Sequence, residues 1–285
     1  MFNKYWFGLF FVLVFSSMCH ADDDFFDIEG VEKNSLKFSG FDQKYGGWVD
    51  VEFSRADGKI RLYAVPQKNK PLEEGVVASS DVSLMSPDKK YIIVQRTNAG
   101  EIVDEQGDSI VSAQAYCDMI SLENGCVKNI GSAQQCDGAW VGDNWKLSTG
   151  YVFDFSKEGI SPSQLISKTS NLSPDDYRSS SLRDWLFMGG ESYMACFPPE
   201  RNISELNDIG YYLAKGGEHL FSIQIYNRLL NIAPGRVPLK LNVADSLWAL
   251  GRLSEAKTYY GEYRDAMMQK GDAGKIPKRV ELRFN

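Results

Sequence analysis

The chain has 285 residues, 43% of them apolar and 24% charged, with a formal net charge of −7. Those proportions belong to a folded globular chain and exclude a disordered or low-complexity one. An acidic balance with no concentrated basic stripe argues against nucleic acid as a partner, because phosphates are held by clustered lysine and arginine. The charge is uneven. Residues 22–202 carry 18 basic and 29 acidic side chains, and residues 203–285 carry 12 basic and 9 acidic.

The first 21 residues, MFNKYWFGLFFVLVFSSMCHA, place Lys4 before an apolar run from Tyr5 to Phe15 and end on Cys19-His20-Ala21. This is the anatomy of a cleaved secretory signal peptide, with the mature chain starting at Asp22. The apolar run is shorter than the ~20 residues a spanning helix requires. After cleavage no membrane span is expected, and the protein is periplasmic or extracellular. Two alternatives stay open: a retained membrane anchor, and a lipid on Cys19. The lipid is disfavoured by Met18 and Ser16 where small and leucine residues are preferred.

Residues 22–196 read as a β-rich domain with loops and short helices. Trp48–Phe53 and Lys59–Val65 alternate around Arg55-Ala56-Asp57-Gly58, a hairpin signal. A strand is predicted at Tyr91–Gln95 after the Pro87-Asp88 turn, and another pairing around Asn124-Gly125. One or two more strands are predicted in WVGDNWKLSTGYVFDF. SPDKKYIIV followed by DMISLENG resembles a β-propeller blade, but a single unit makes no propeller, so a sandwich or partly open barrel is expected. Ser156–Ser181, rich in Ser and Pro, reads as loops with short helices. CFPPERN, residues 197–202 with the preceding Cys196, marks the junction, with Asn202-Ile203-Ser204-Glu205 capping the next helix.

Cysteine usage supports export. Cleavage after Ala21 removes Cys19 and leaves Cys117, Cys126, Cys136 and Cys196. Four cysteines in an exported chain form two disulfides in one of three connectivities. Zinc ligation wants ligands two to four residues apart, which these are not. A hairpin centred on Asn124-Gly125 sets Cys117 opposite Ser132, which disfavours Cys117–Cys126. The expected pairs are Cys126–Cys136 and Cys117–Cys196.

Residues 203–285 repeat themselves. Ile209 and Val243, Gly210 and Ala244, Leu213 and Leu247, Gly217 and Gly251, Ser222 and Ala256, and Tyr226 and Tyr260 each stand 34 residues apart. Leu206, Leu229, Pro234 and Tyr263 complete the pattern. This resembles the tetratricopeptide repeat, a 34-residue pair of antiparallel helices. The small residues let two helices approach, the large ones form the apolar stripe, and Gly217 and Gly251 make the turns. Lys240 and Met268 depart from the pattern. The fold class is therefore α+β, a β-rich domain followed by a two-repeat helical array. Two repeats are too few to stand alone, so the preceding domain, the tail or a second copy must cap them. The resemblance implies a concave binding face that includes Asn207, Tyr211, Leu241, Asp245 and Trp248. Tyr211 and Trp248 are the expected anchors, either exposed on that face or packed against the β-domain.

Beyond the leader the chain has one histidine, His219, at the turn of the first repeat, where a surface role is expected. No phosphate-binding or dinucleotide-binding glycine motif and no Cys-x-x-Cys pair is present. Asp22–Asp27 offers carboxylates for calcium or, more simply, a solvated tail. No catalytic residue, metal ligand or cofactor is singled out. The expected function is a non-catalytic, exported protein-binding protein whose partner is a protein. The alternatives are an immunity or inhibitor protein against a secreted toxin in the bacterial envelope, by analogy alone, and a carboxylate-dependent envelope hydrolase.

Overall fold

The computed structural model describes residues 25–43, 46–66, 76–78, 84–103 and 106–284. The leader, Cys19 and Asp22–Asp24 lie outside the described residues. Among the described residues, no helix is long and apolar enough to cross a membrane.

The chain is α+β. Strands β1 (Phe25–Glu29), β2 (Ser35–Asp42), β3 (Gly47–Arg55), β4 (Gly58–Leu62), β5 (Val76–Ala78), β6 (Tyr91–Val103), β7 (Ser109–Ser121) and β8 (Val127–Ser132) form one antiparallel sheet. Its order is β1-β2-β3-β5-β6-β7-β8, with β4 also paired to β3. Strands β9 (Gly138–Val141), β10 (Asn144–Leu147) and β11 (Val152–Phe153) make a separate three-stranded sheet. The expected sandwich or barrel is replaced by an open sheet, because helices rather than a second large sheet cover its apolar face.

Alternation explains the two faces. Leu36, Phe38, Val51, Phe53, Ile92, Val94 and Ile120 point inward and share one core with the helices. Ile93, Cys117 and Met119 point the other way and pack on Trp145, Leu147 and Phe153 of the small sheet. The β3–β4 hairpin turns at Ala56-Asp57, with Arg55 opposite Gly58, as the sequence implies. Strand β6 runs eight residues beyond Gln95. Its far half, with the matching half of β7, is a ribbon in which the two strands pair with each other.

Helices follow: α1 (Pro162–Lys168), α2 (Asp175–Trp185), α3 (Gly190–Cys196), α4 (Pro199–Lys215), α5 (His219–Ile232), α6 (Val237–Ala249), α7 (Leu253–Gln269) and α8 (Lys278–Phe284). Ser161 and Gln164 form a capping box at α1. α4 starts earlier than expected, because Pro199 sits in its first turn, where its missing N–H costs nothing. Asn202 is therefore a kink inside α4 and not its cap; its Nδ2 donates to the Pro198 carbonyl at 2.9 Å.

Helices α4–α7 form the two expected antiparallel pairs, broken at Pro234-Gly235. Gly217 and Gly251 both adopt positive φ, +89° and +74°. The closing bonds repeat with the 34-residue period: Glu218 N–H to Leu213 O at 2.9 Å and Arg252 N–H to Leu247 O at 3.0 Å. Gly210 is the point of closest approach, since a Cβ there would lie 2.4 Å from Tyr226 Cε1. Ser222, facing it, donates Oγ–H to the Gly210 carbonyl at 2.8 Å. Lys240, where the pattern wants an apolar residue, pairs with Glu262 on α7 at 2.7 Å. Met268 replaces the expected proline because α7 runs on to Gln269 and is ended by Gly271 at φ +74°.

The disulfides are Cys117–Cys136 and Cys126–Cys196, which corrects the expected pairing. After β8 a short 3-10 turn, Ala133–Cys136, curls back over β7 and brings Cys136 to Cys117. Ser192 and Cys196 stand on one face of α3, four residues apart. Ser192 Oγ donates to Gly125 O at 2.8 Å and accepts from Val127 N–H at 3.1 Å, which seats Cys196 beside Cys126. A bulge at Cys117/Asp118 sets Cys117 opposite Gly131, one residue from the expected Ser132.

Gly210→Leu overpacks the α4–α5 contact and lowers stability by about 3 kcal/mol. Gly235→Ala, with nothing within 4 Å of the added Cβ, leaves stability within ~0.5 kcal/mol; urea denaturation of both checks the contrast. Proteolytic mapping of the oxidised protein yields the 117–136 and 126–196 cross-linked peptides. By loop length, the 19-residue bridge contributes about 3 kcal/mol and the 70-residue bridge about 4 kcal/mol.

Candidate functional site

The five residues of the expected binding face lie on α4 and α6, the first helix of each pair. Asn207 and Tyr211 stand one turn apart on α4. Leu241, Asp245 and Trp248 follow the same stripe on α6. The amides of the two helices meet: Asn242 Nδ2 donates to Asn207 Oδ1 at 3.0 Å, and Asn207 Nδ2 donates to Asp208 Oδ1 at 3.3 Å. Asn207 is thereby buried and spends its polar atoms within the protein.

Tyr211 is 40% exposed, and its ring stands edge-on to Tyr212, the centroids being 5.4 Å apart. Asp208 beside it is also exposed. Leu241 is half-buried against the core. Beneath this surface the Tyr226 ring fills the gap left by Gly210. Burial pushes its hydroxyl well above the ordinary tyrosine range, and the Asp245 and Asp208 charges act in the same direction.

The second-repeat half of the face is already occupied. Arg279 of α8 grips Asp245 through Nε at 3.0 Å and Nη2 at 2.8 Å. Arg283 donates to the same carboxylate at 3.1 Å and to Tyr260 Oη at 2.6 Å. Tyr260 in turn donates to Asp245 Oδ1 at 2.7 Å. Burial and the Asp245 bond push Tyr260 up to about 12. Trp248 lies 6.3 Å from Tyr260, and the Arg283 guanidinium lies 5.1 Å from its ring. Trp248 is thus half-covered by the tail of the chain. His219 is half-buried at the start of α5.

A second polar centre escaped the sequence reading. Arg96 Nε donates to Asp118 Oδ2 at 2.6 Å, and both side chains are buried, 3% and 0% exposed. Asn129 donates to the other oxygen at 2.7 Å. The guanidinium lies between the Tyr116 and Phe187 rings, at 4.4 and 4.3 Å. Tyr63, at a positive φ of +60°, packs beside them. Burial pushes the Asp118 carboxyl up, while the Arg96 charge and the hydrogen bonds pull against it. Phe187 precedes α3, so the cluster ties sheet to helices. A signal was present: Arg96 continues the inward phase of Ile92 and Val94, and Asp118 that of Ile120, so opposite charges occupy apolar-phase positions in what become paired strands. Among the described residues, no group of three or more His, Cys, Asp or Glu is placed to hold a metal ion.

Removing one member of this pair strands the other charge in the core. Asp118→Ala is expected to cost about 3–5 kcal/mol, measured by chemical denaturation. Neither a protein-family model, nor a curated protein, nor a solved structure matches this chain.

Proposed function

We propose that this is an exported, disulfide-stabilised protein-binding protein without catalytic activity, and that it engages a protein partner through the face of α4 and α6. The 34-residue period supports reading these helices as two tetratricopeptide-like repeats, whose first helices supply the binding surface. The observation that carries the proposal is Tyr211. It is a large aromatic left 40% exposed on that face, whereas Trp248 on α6 is half-covered by α8. Tyrosines of this kind anchor interfaces, because they contribute large contact area with few rotatable bonds. Asp208 stands beside it as an exposed polar group. Two disulfides fit an oxidising compartment.

The excess of acidic side chains in residues 22–202 favours a basic partner, which long-range attraction would steer toward the chain. An inhibitor of a basic secreted toxin is one protein of that description.

Tyr211→Ala tests the proposal. Its melting temperature is expected to stay within a few degrees of the parent, since the ring is outside the core. Captured from an envelope extract, a partner retained by the parent protein should bind this variant with ~2 kcal/mol less affinity or be lost. Equal capture by the parent and the variant removes this face from the site.

A further inference from the structure

Helix α8, the last element among the described residues, has seven residues. A helix so short has no stability of its own in water. Its hold on the protein is narrow. Val280 is fully buried, and Phe284 packs against Gly261 and beneath the Arg264 guanidinium, 4.0 Å away. Leu282 faces solvent at 80% exposure. Arg279 and Arg283, four residues apart on one side of the helix, meet Asp245, Tyr260 and Trp248.

Those three residues make a seat suited to guanidinium groups. Asp245 accepts from Arg279 through two nitrogens and from Arg283 through a third. The Arg283 guanidinium lies near two aromatic rings, 5.1 Å from Trp248 and 5.9 Å from Tyr260. Forked donation to a carboxylate and stacking on rings are what distinguish arginine from lysine. The pairs are nevertheless open to water. Side-chain exposure is 44% for Arg279, 30% for Arg283 and 29% for Asp245. Ion pairs so exposed contribute little net stability.

We propose that Asp245, Trp248 and Tyr260 form a recognition seat for a basic helical segment of a partner, carrying two arginines four residues apart, and that α8 is its intramolecular occupant. The inference rests on reading the α4–α6 face as the binding surface, and it adds the chemistry of the ligand. The structure shows the mode of binding, since α8 already displays it. Tethering gives α8 an effective concentration in the millimolar range, so an outside segment competes at a disadvantage until α8 leaves. The helix thus gates the second-repeat half of the face and leaves the Tyr211 half open.

The test uses the full chain and a fluorescent synthetic peptide, KIPKRVELRFN, matching residues 275–285. Val280→Asp places a charge at the buried contact and unseats α8 while Asp245, Trp248 and Tyr260 remain. This variant is expected to bind the peptide at least tenfold more tightly than the parent. The gain should vanish when both peptide arginines are replaced by glutamate, and again when Asp245→Asn is added to the protein. Should Val280→Asp lose its cooperative melting transition, the surface double variant Arg279→Glu/Arg283→Glu reads the same competition and is also expected to gain at least tenfold. Equal binding by the parent and the variants, or binding indifferent to the peptide arginines, makes α8 a fixed cap and overturns the proposal. Loss of partner capture by Tyr211→Ala would stand in either case, so the two readings fail separately.

Discussion

Two stacked helix pairs have two bare ends, and the rest of the fold is organised by the need to cover them. A single pair cannot bury its own apolar faces; it borrows surface from its neighbours. Here the leading end is covered by α2, packed so closely on α4 that a Cβ at Gly216 would lie 1.8 Å from Ser179 Oγ. The Arg178 guanidinium lies 3.2 Å from the centre of the Tyr212 ring, and Lys215 pairs with Asp175. α3 covers α5, with Gly190 beside Phe221 and Ile225. The trailing end receives α8. The inner face of the sheet then closes over the helices, so that Leu36 and Phe53 belong to the same core as Leu213 and Tyr260.

That shared core would tolerate sliding if apolar contact alone held it, because such contact is non-directional. Directional links remove the freedom. The Cys126–Cys196 bridge ends α3 three residues before α4 begins, so it fixes where the helical array leaves the sheet. Ser192 bonds both sides of the turn after β7. Backbone pairing between Ala64 and Gly189, and the bond from Tyr63 N–H to Met188 O, hold the end of β4 to the segment before α3. Arg96 and Asp118 add a buried charge pair at the same boundary, whose worth lies more in fixing geometry than in net stability.

The helical half was legible because close packing leaves a strict record. Only a residue without a side chain fits at Gly210, only a small one at Ser222 or Ala256, and only positive φ closes the turns at Gly217 and Gly251. These demands recur with the period and survive in the sequence. The β3–β4 turn was legible for the same local reason. The disulfide pairing was not, because it depends on where α3 returns to the sheet and on the 3-10 turn at Ala133–Cys136, neither of which has a local signature. The long β6–β7 ribbon was missed because RTNAGEIVDEQGDSIVSAQAY lacks sustained alternation; its strands are held mainly by their mutual backbone bonds. For the candidate face, the stripe of residues was readable but its occupancy was not. Nothing near Asp245 announces that arginines from 34 and 38 residues further on will reach it.

That occupancy divides the face by chemistry as well as by position. On the α4 side, Asn207 and Asn242 satisfy one another, leaving the Tyr211 ring and the Asp208 carboxylate as the groups open to solvent. On the α6 side, Asp245 would be an uncompensated carboxylate beneath an indole and a phenol if the tail were absent, and Tyr260 would share its proton with that carboxylate alone. Two arginines more than offset that single charge and meet the rings at modest cost in ordering, because the short helix carrying them is anchored by Val280. Stability alone does not call for these charges, as an apolar contact of the same area does the work without desolvating ions. Keeping the ion pairs at the wet margin of the face makes their exchange with another cation cheap.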